Sequence, residues 1–222
     1  MYLNDLKLAA FNLILGAAIA VVGFPGAIAA FQRLPAEASI DALRFGQPVE
    51  AVAGEKSIVV LARSARMSNA SRDDLAVALL APAAGRSFDV ATADARRAAG
   101  LLELYLSSAP ADSIAWSNLA LARLRSGAVD ASVAPFKMAM LMASSSGALL
   151  WRCDFGLTVF SSLDDEGRKM LAGQFDHAME RSSREFVQLV RQREDKLAVV
   201  RLSLASYPEA LSDFESEFAL TH

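Results

Sequence analysis

Few residues in this sequence have the type and spacing for chemistry. Cys153 is the only cysteine, so no internal disulfide can form and a cysteine-based zinc site is excluded. Set in an apolar helical stretch, it reads as a small core residue. The two histidines, His177 and His222, lie far apart, and His177 has no second histidine one helical turn away to share a metal. Asp164, Asp165 and Glu166 cluster where a helix is expected to start, and there they meet the positive end of the helix dipole. Arg152 beside Trp151 could stack on an aromatic ring or bind a carboxylate, but reads better as a structural arginine. No glycine-rich phosphate loop follows a strand, and neither G-x-S-x-G nor H-E-x-x-H occurs. No catalytic, metal or cofactor-binding residue is therefore assigned, and the chain is expected not to be an enzyme. A glycan-processing alternative would need Asp154 or Asp164 to face a second carboxylate across a cleft at about 5–10 Å.

A denser run of charge lies toward the C-terminus. Arg181, Arg184, Arg191, Arg193, Lys196 and Arg201 interleave with Glu180, Glu185, Glu194 and Asp195. Mixed signs at helical spacing point to a solvated face with ion pairs one turn apart; an anionic glycan or lipid site is the alternative. In the tail that follows, Glu209, Asp213, Glu215 and Glu217 carry one sign only. A net charge of −3 and an isoelectric point near 5.5 offer no global attraction for nucleic acid, so none is expected as a partner.

The elements that must position these residues are helices. Alanine, the best helix former, is abundant, while glycine and proline mostly fall between apolar periodic runs. The expected fold class is all-α: an N-terminal transmembrane helix followed by helical hairpins. Helices are expected over 49–67, 72–80 and 89–108. Ser71 and Asp74 stand as a capping-box-like start to the second, with Asp in place of Glu or Gln. Further amphipathic stripes follow: Leu150, Cys153, Leu157 and Phe160; Leu171, Phe175 and Ala178; Phe186, Leu189 and Val190; Leu197, Val200 and Leu204. Breaks are expected at 161–165 and at Ser182-Ser183, and Tyr207-Pro208 opens the last helix.

Leu8 to Phe31 contains no charged residue over 24 positions. A helix of that length reaches about 36 Å, enough for a hydrocarbon core of about 30 Å. The segment predicts a bilayer contact: an uncleaved signal anchor, with a cleavable secretory signal ending at Ala27-Ile28-Ala29 as the other reading. Lys7 on one side and Arg33 and Arg44 on the other leave orientation undecided by charge. A seven-residue leader is easily left inside while a long domain crosses, so the soluble part is expected to be periplasmic, on a single-pass protein of a bacterial inner membrane. Gly16, Ala20 and Gly23 would let two such helices approach. The expected organisation is an anchor or signal over 1–34, a linker over 35–48 and one helical domain over 49–222.

Within that domain Pro110-Ala111-Asp112-Ser113 starts a helix bearing Trp116, Leu119, Ala120 and Leu124; Gly127 turns the chain, and Asp130 opens a partner helix. Against the tetratricopeptide pattern, Trp116, Leu119, Gly127, Phe136 and Ala139 fall in register. Ala120, Arg123, Ser132 and Ser144 replace its Gly, Tyr, Ala and Pro. The hairpin is expected to be tetratricopeptide-like, with Trp116 and Phe136 buried and close together.

Four stretches carry a further resemblance: Ala109-Pro110-Ala111-Asp112 with Ala115-Trp116 and Leu119-Ala120; Arg152 with Gly156-Leu157; Leu163-Asp164 with Gly167-Arg168, Leu171 and Gln174; and Val200-Arg201 with Pro208-Glu209-Ala210-Leu211 and Phe214-Glu215. In these, across residues 95–216, the chain resembles the VpsP-like polysaccharide biosynthesis proteins, small membrane proteins found with bacterial exopolysaccharide genes. The resemblance implies an accessory role in making or exporting a surface polysaccharide, and protein partners in that machinery. Beside an anchored adaptor stand two other expectations: a glycan-binding or glycan-processing protein, and an assembly factor for another envelope complex.

Overall fold

A computed structural model describes residue 24 and residues 27–41, 51–66, 68–81, 87–143 and 148–220. Among these every regular element is a helix and there is no strand, so the chain is all-α. The described chain forms two compact units, 1–108 and 109–222, where the sequence suggests one domain over 49–222.

The first unit contains α1 (residues 27–41), α2 (Ala51–Ser64), α3 (Asn69–Leu80) and α4 (Phe88–Leu106). The expected linker is helical from residue 35 to 41, and the rest of it, 42–48, lies outside the described residues. Proline inside a helix removes a backbone donor and costs about 3 kcal/mol. Tertiary burial outweighs that local preference, because Ala29, Ala36 and Ile40 form one fully buried stripe on α1. Helix α3 begins at Asn69, earlier than expected, and its N-cap residue Ser68 makes no side-chain cap bond. The capping box does not form: Ser71 and Asp74 are buried within the helix. Leu61, Leu75, Leu79, Ala95, Ala98 and Leu102 supply the apolar interior. Ser87 caps α4 through the amide of Val90, and the side chain of Asn69 donates to Ser108 at the far end of that helix.

The second unit opens with a hairpin of α5 (Ser113–Arg125) and α6 (Val129–Leu141). Asp112 caps α5 by accepting from the amides of Ile114 and Ala115, each at 3.0 Å. The turn is a Schellman motif: Ala128 N–H donates to the Arg123 carbonyl and Gly127 N–H to that of Leu124. Gly127 has φ +85°, a left-handed conformation that suits a residue without Cβ. Small buried residues, Ala120, Ser132 and Ala139, allow the two helices to approach. Pro135 lies inside α6 and has no N–H for the carbonyl of Ala131, four residues earlier. The guanidinium of Arg123 donates to that carbonyl at 2.8 Å, so this arginine repairs a defect in the partner helix.

Helices α7 (Leu149–Val159), α8 (Asp165–Arg191), α9 (Leu197–Leu204) and α10 (Pro208–Leu220) complete the unit. Helix α8 breaks at Ser182, where φ −153° and ψ 48° leave helical space, at the serine pair expected to interrupt it. Phe175, Phe186 and Phe214 form a continuous aromatic core, with successive ring centroids 5.3 and 6.2 Å apart. Gly156 packs against Leu171 so closely that a Cβ there would overlap the leucine methyls. The expected Trp116 core position is corrected. Phe136 is fully buried and its ring lies 5.0 Å from that of Phe155, but Trp116 is only half-buried. Its indole N–H donates to the Pro110 carbonyl at 2.8 Å, which draws the ring to the turn before α5.

Two sets of substitutions test this packing by thermal unfolding. Phe136→Ala should cost about 3–5 kcal/mol as a core aromatic truncation, whereas Trp116→Phe should lose only the indole hydrogen bond, about 1 kcal/mol. Equal losses would mean that Trp116 belongs to the core after all. Gly156→Ala should destabilise by about 1–3 kcal/mol, since the fully buried Leu171 must shift. Gly100→Ala, with open space around its Cβ position on an α4 surface, should stabilise by about 0.5–1 kcal/mol.

Candidate functional site

Two polar constellations stand out, one in each unit. In the first unit Asp74 has no exposed side-chain surface, and Arg33 Nε of α1 approaches its Oδ2 to 2.6 Å. A carboxylate removed from water needs a cation or several donors close by, or it would be neutralised. This ion pair ties α1 to α3. Ser57, Ser64, Ser71 and Asp73 are also buried in the unit, which gives its interior an unusually polar character.

In the second unit the residues that could do chemistry are distributed among ties between helices. Lys137 of α6 pairs with Asp164 at 3.1 Å and also with Glu166, at the start of α8. Asp164 accepts from the Gly167 amide at 2.8 Å as the N-cap of α8. The Gly167 bond and then Lys137 hold the Asp164 carboxyl below its usual range, while hydrogen bonds to Glu166 and Asp164 raise Lys137. The acidic cluster thus caps a helix and anchors a lysine. Asp154, the other carboxylate of the glycan-processing alternative, lies 3.5 Å from Arg193. Each of the two faces a cation.

Arg152 is almost fully buried and donates Nε–H to the side-chain carbonyl of Gln174 at 2.8 Å, joining α7 to α8; burial lowers its pKa. Its neighbour Cys153 is fully buried too. Burial pushes that thiol up to about 12, so at neutral pH it stays protonated and unreactive. His177 sits on the outer part of α8, its Nδ1 3.3 Å from Glu180; His222 lies outside the described residues. Among the described residues no group of three or more potential metal ligands comes together.

The basic stretch and the acidic tail, separate in sequence, meet in space. Arg201 makes a two-pronged contact with Glu215 at 2.7 and 2.8 Å, and Arg184 lies 3.7 Å from Glu217. Arg191 donates to the Phe218 carbonyl and covers the Phe218 ring. The mutual hydrogen bonds of Arg201 and Glu215 raise the first and lower the second. An open groove of about 340 Å³ lined by Arg184, Gln188, Glu217 and Leu220 runs along this seam. These cations therefore hold α10 against α8 and α9, a use that the alternation of charges in sequence did not disclose. Only the single sign of the tail, Glu209, Asp213, Glu215 and Glu217, hinted at it.

Stability should follow acid titration in opposite directions at two carboxylates. Asp164 is lowered in the folded chain, so its contribution is complete above the unfolded value near pH 4 and disappears as pH falls through the folded value. Asp176 is raised, chiefly by burial and then by Glu180 and Glu209, so ionising it opposes folding as pH rises above about 4. Melting curves of Asp164→Asn and Asp176→Asn should show a loss and a gain at pH 7, and both differences should vanish near pH 2. Shifts of the same sign at pH 7 would refute the assignment. In comparisons with protein-family models, curated proteins and solved structures, nothing matches this chain.

Proposed function

We propose that this chain is a non-enzymatic adaptor, anchored in a bacterial inner membrane through Leu8 to Phe31, that serves the making or export of a surface polysaccharide. The observation that carries the adaptor reading is the use of its charged side chains. Lys137, Asp164, Asp154, Arg193, Arg201 and Glu215 all join one helix to another, which suits a scaffold that holds a shape. The α5–α6 hairpin supports the same reading. Its tetratricopeptide register, Schellman turn and small crossing residues are those of units that stack to offer grooved protein-binding surfaces. Exposed apolar side chains at Ile114 and Leu141 on that hairpin are available to a partner. The polysaccharide system itself rests on the resemblance to VpsP-like proteins, and the anchor on the uncharged segment, most of which lies outside the described residues. Among those residues no helix is long and apolar enough to cross a membrane.

The test is genetic. Loss of the gene should reduce surface polysaccharide, and a chain lacking residues 1–23 should fail to restore it while remaining folded. The cut must fall before α1, because removal through residue 34 also deletes Arg33 and leaves Asp74 buried without it; breaking a buried pair costs about 3–5 kcal/mol. Full rescue by the 24–222 chain would reject the anchored adaptor. Co-purification of the full chain in mild detergent should bring down membrane components of polysaccharide polymerisation or export. Recovery of a different envelope machine would move the protein to that assembly.

A further inference from the structure

The exposed face of α1 changes character along its length. Ala27, Ala30, Phe31 and Leu34 form its outward side over the first two turns, with Phe31 76% and Leu34 57% exposed. Over the last turn the outward residues are Glu37, Ala38 and Asp41, so two of the three carry a carboxylate. The opposite side, Ala29, Arg33, Ala36 and Ile40, is fixed within the first unit by burial and by the ion pair to Asp74. Ala27, Ala30 and Phe31 are the last part of the uncharged run that begins at Leu8, Leu34 follows one helical turn beyond Phe31, and Phe24 within the same run is 66% exposed.

We propose that this outward face of α1 docks against the lipid bilayer, with the membrane surface crossing the helix between Leu34 and Glu37. Bulky apolar side chains left in water by the unit's own packing gain from entering the acyl region, in proportion to the apolar surface removed from water. The carboxylates of Glu37 and Asp41 beyond them stay hydrated, since charge is costly inside the bilayer. At 1.5 Å rise per residue, the change from Leu34 to Glu37 takes about 5 Å, comparable with the depth of an interfacial boundary. Because Arg33 lies on the same turns as Phe31 and Leu34, the Arg33–Asp74 pair makes the docking rigid. The first unit is held at the membrane surface and does not swing on a tether. This inference rests on the anchoring reading and adds to it where the bilayer ends and how the unit is held.

The experiment uses the full chain in phospholipid vesicles, with Cys153→Ala as background and single nitroxide labels at Phe31→Cys, Leu34→Cys, Ala38→Cys and Asp41→Cys. Collision with oxygen, which partitions into lipid, is compared with collision with a water-soluble nickel chelate. Labels at 31 and 34 should favour oxygen, labels at 38 and 41 should favour nickel, and the preference should invert between 34 and 38. Nickel preference at all four positions, in chain that stays with the vesicles through an alkaline wash, would overturn the docking and leave the anchor standing. Chain that is washed away would overturn the anchor itself. Dipolar broadening between labels at position 31 or 34 on different molecules would also overturn the proposal, by assigning this face to a second copy.

Discussion

A carboxylate with no exposed surface needs a cation or several donors close by, and in the first unit Arg33 reaches Asp74 from α1. The pairing has consequences well beyond one contact. It fixes which face of α1 turns inward and carries the helix past Pro35 with Ala36 and Ile40 buried. It also leaves Phe31 and Leu34 on the outside. A local ion pair thereby decides how the residues after the apolar N-terminal run join the rest of the unit. Such a pair contributes little net stability over an apolar substitute, because both charges must be desolvated. Its geometry is selective, since only one rotation of α1 brings the guanidinium to the carboxylate.

The second unit solves a different problem. Its interior is mostly apolar, built on Phe136, Phe155, Phe175, Phe186 and Phe214 with the buried Arg152–Gln174 bond beside them, and its ion pairs lie at the rim. Lys137 holds the start of α8, Arg193 reaches back to α7, and Arg201 and Arg184 hold α10. Exposed ion pairs contribute only about 0–1 kcal/mol each, so the aromatic core supplies the stability and the rim pairs set the register in which helices dock. Packing and capping contacts complete the unit: Arg152 bonds Gln174, Gly156 receives Leu171, Asp164 caps at Gly167, and Arg201 grips Glu215.

Much of the helical layout was legible because it depends on neighbours along the chain. Asp112 before Ser113, Gly127 after Arg125 and Pro208 after Tyr207 mark ends through capping, left-handed backbone and a missing N–H, all local effects. The stripe through Leu171, Phe175 and Ala178 is buried, and in that through Leu197, Val200 and Leu204 the last two are buried and Leu197 is half-buried, since helical periodicity reports the face that must leave water. Two of the differences share one cause. Ser71 and Asp74 have the spacing of a cap, and Pro35 the chemistry of a linker, but in both places burial against another helix overrode the local preference. Trp116 failed for the complementary reason: its N–H found the Pro110 carbonyl, a partner that a repeat register does not specify.

What the sequence by itself determined is therefore the all-helical class, most helix ends, the inward stripes and the single uncharged N-terminal segment. Each follows from propensity, capping or hydropathy, which act over a few residues. Only the tertiary structure decided which charges meet. Arg33 and Asp74 are 41 positions apart, Lys137 and Asp164 are 27 apart, and no periodicity along one helix selects a partner on another. The division into two units was decided at the same level. A domain is the set of helices whose buried faces close on one another, and closure is a property of the packed faces, not of any one stripe.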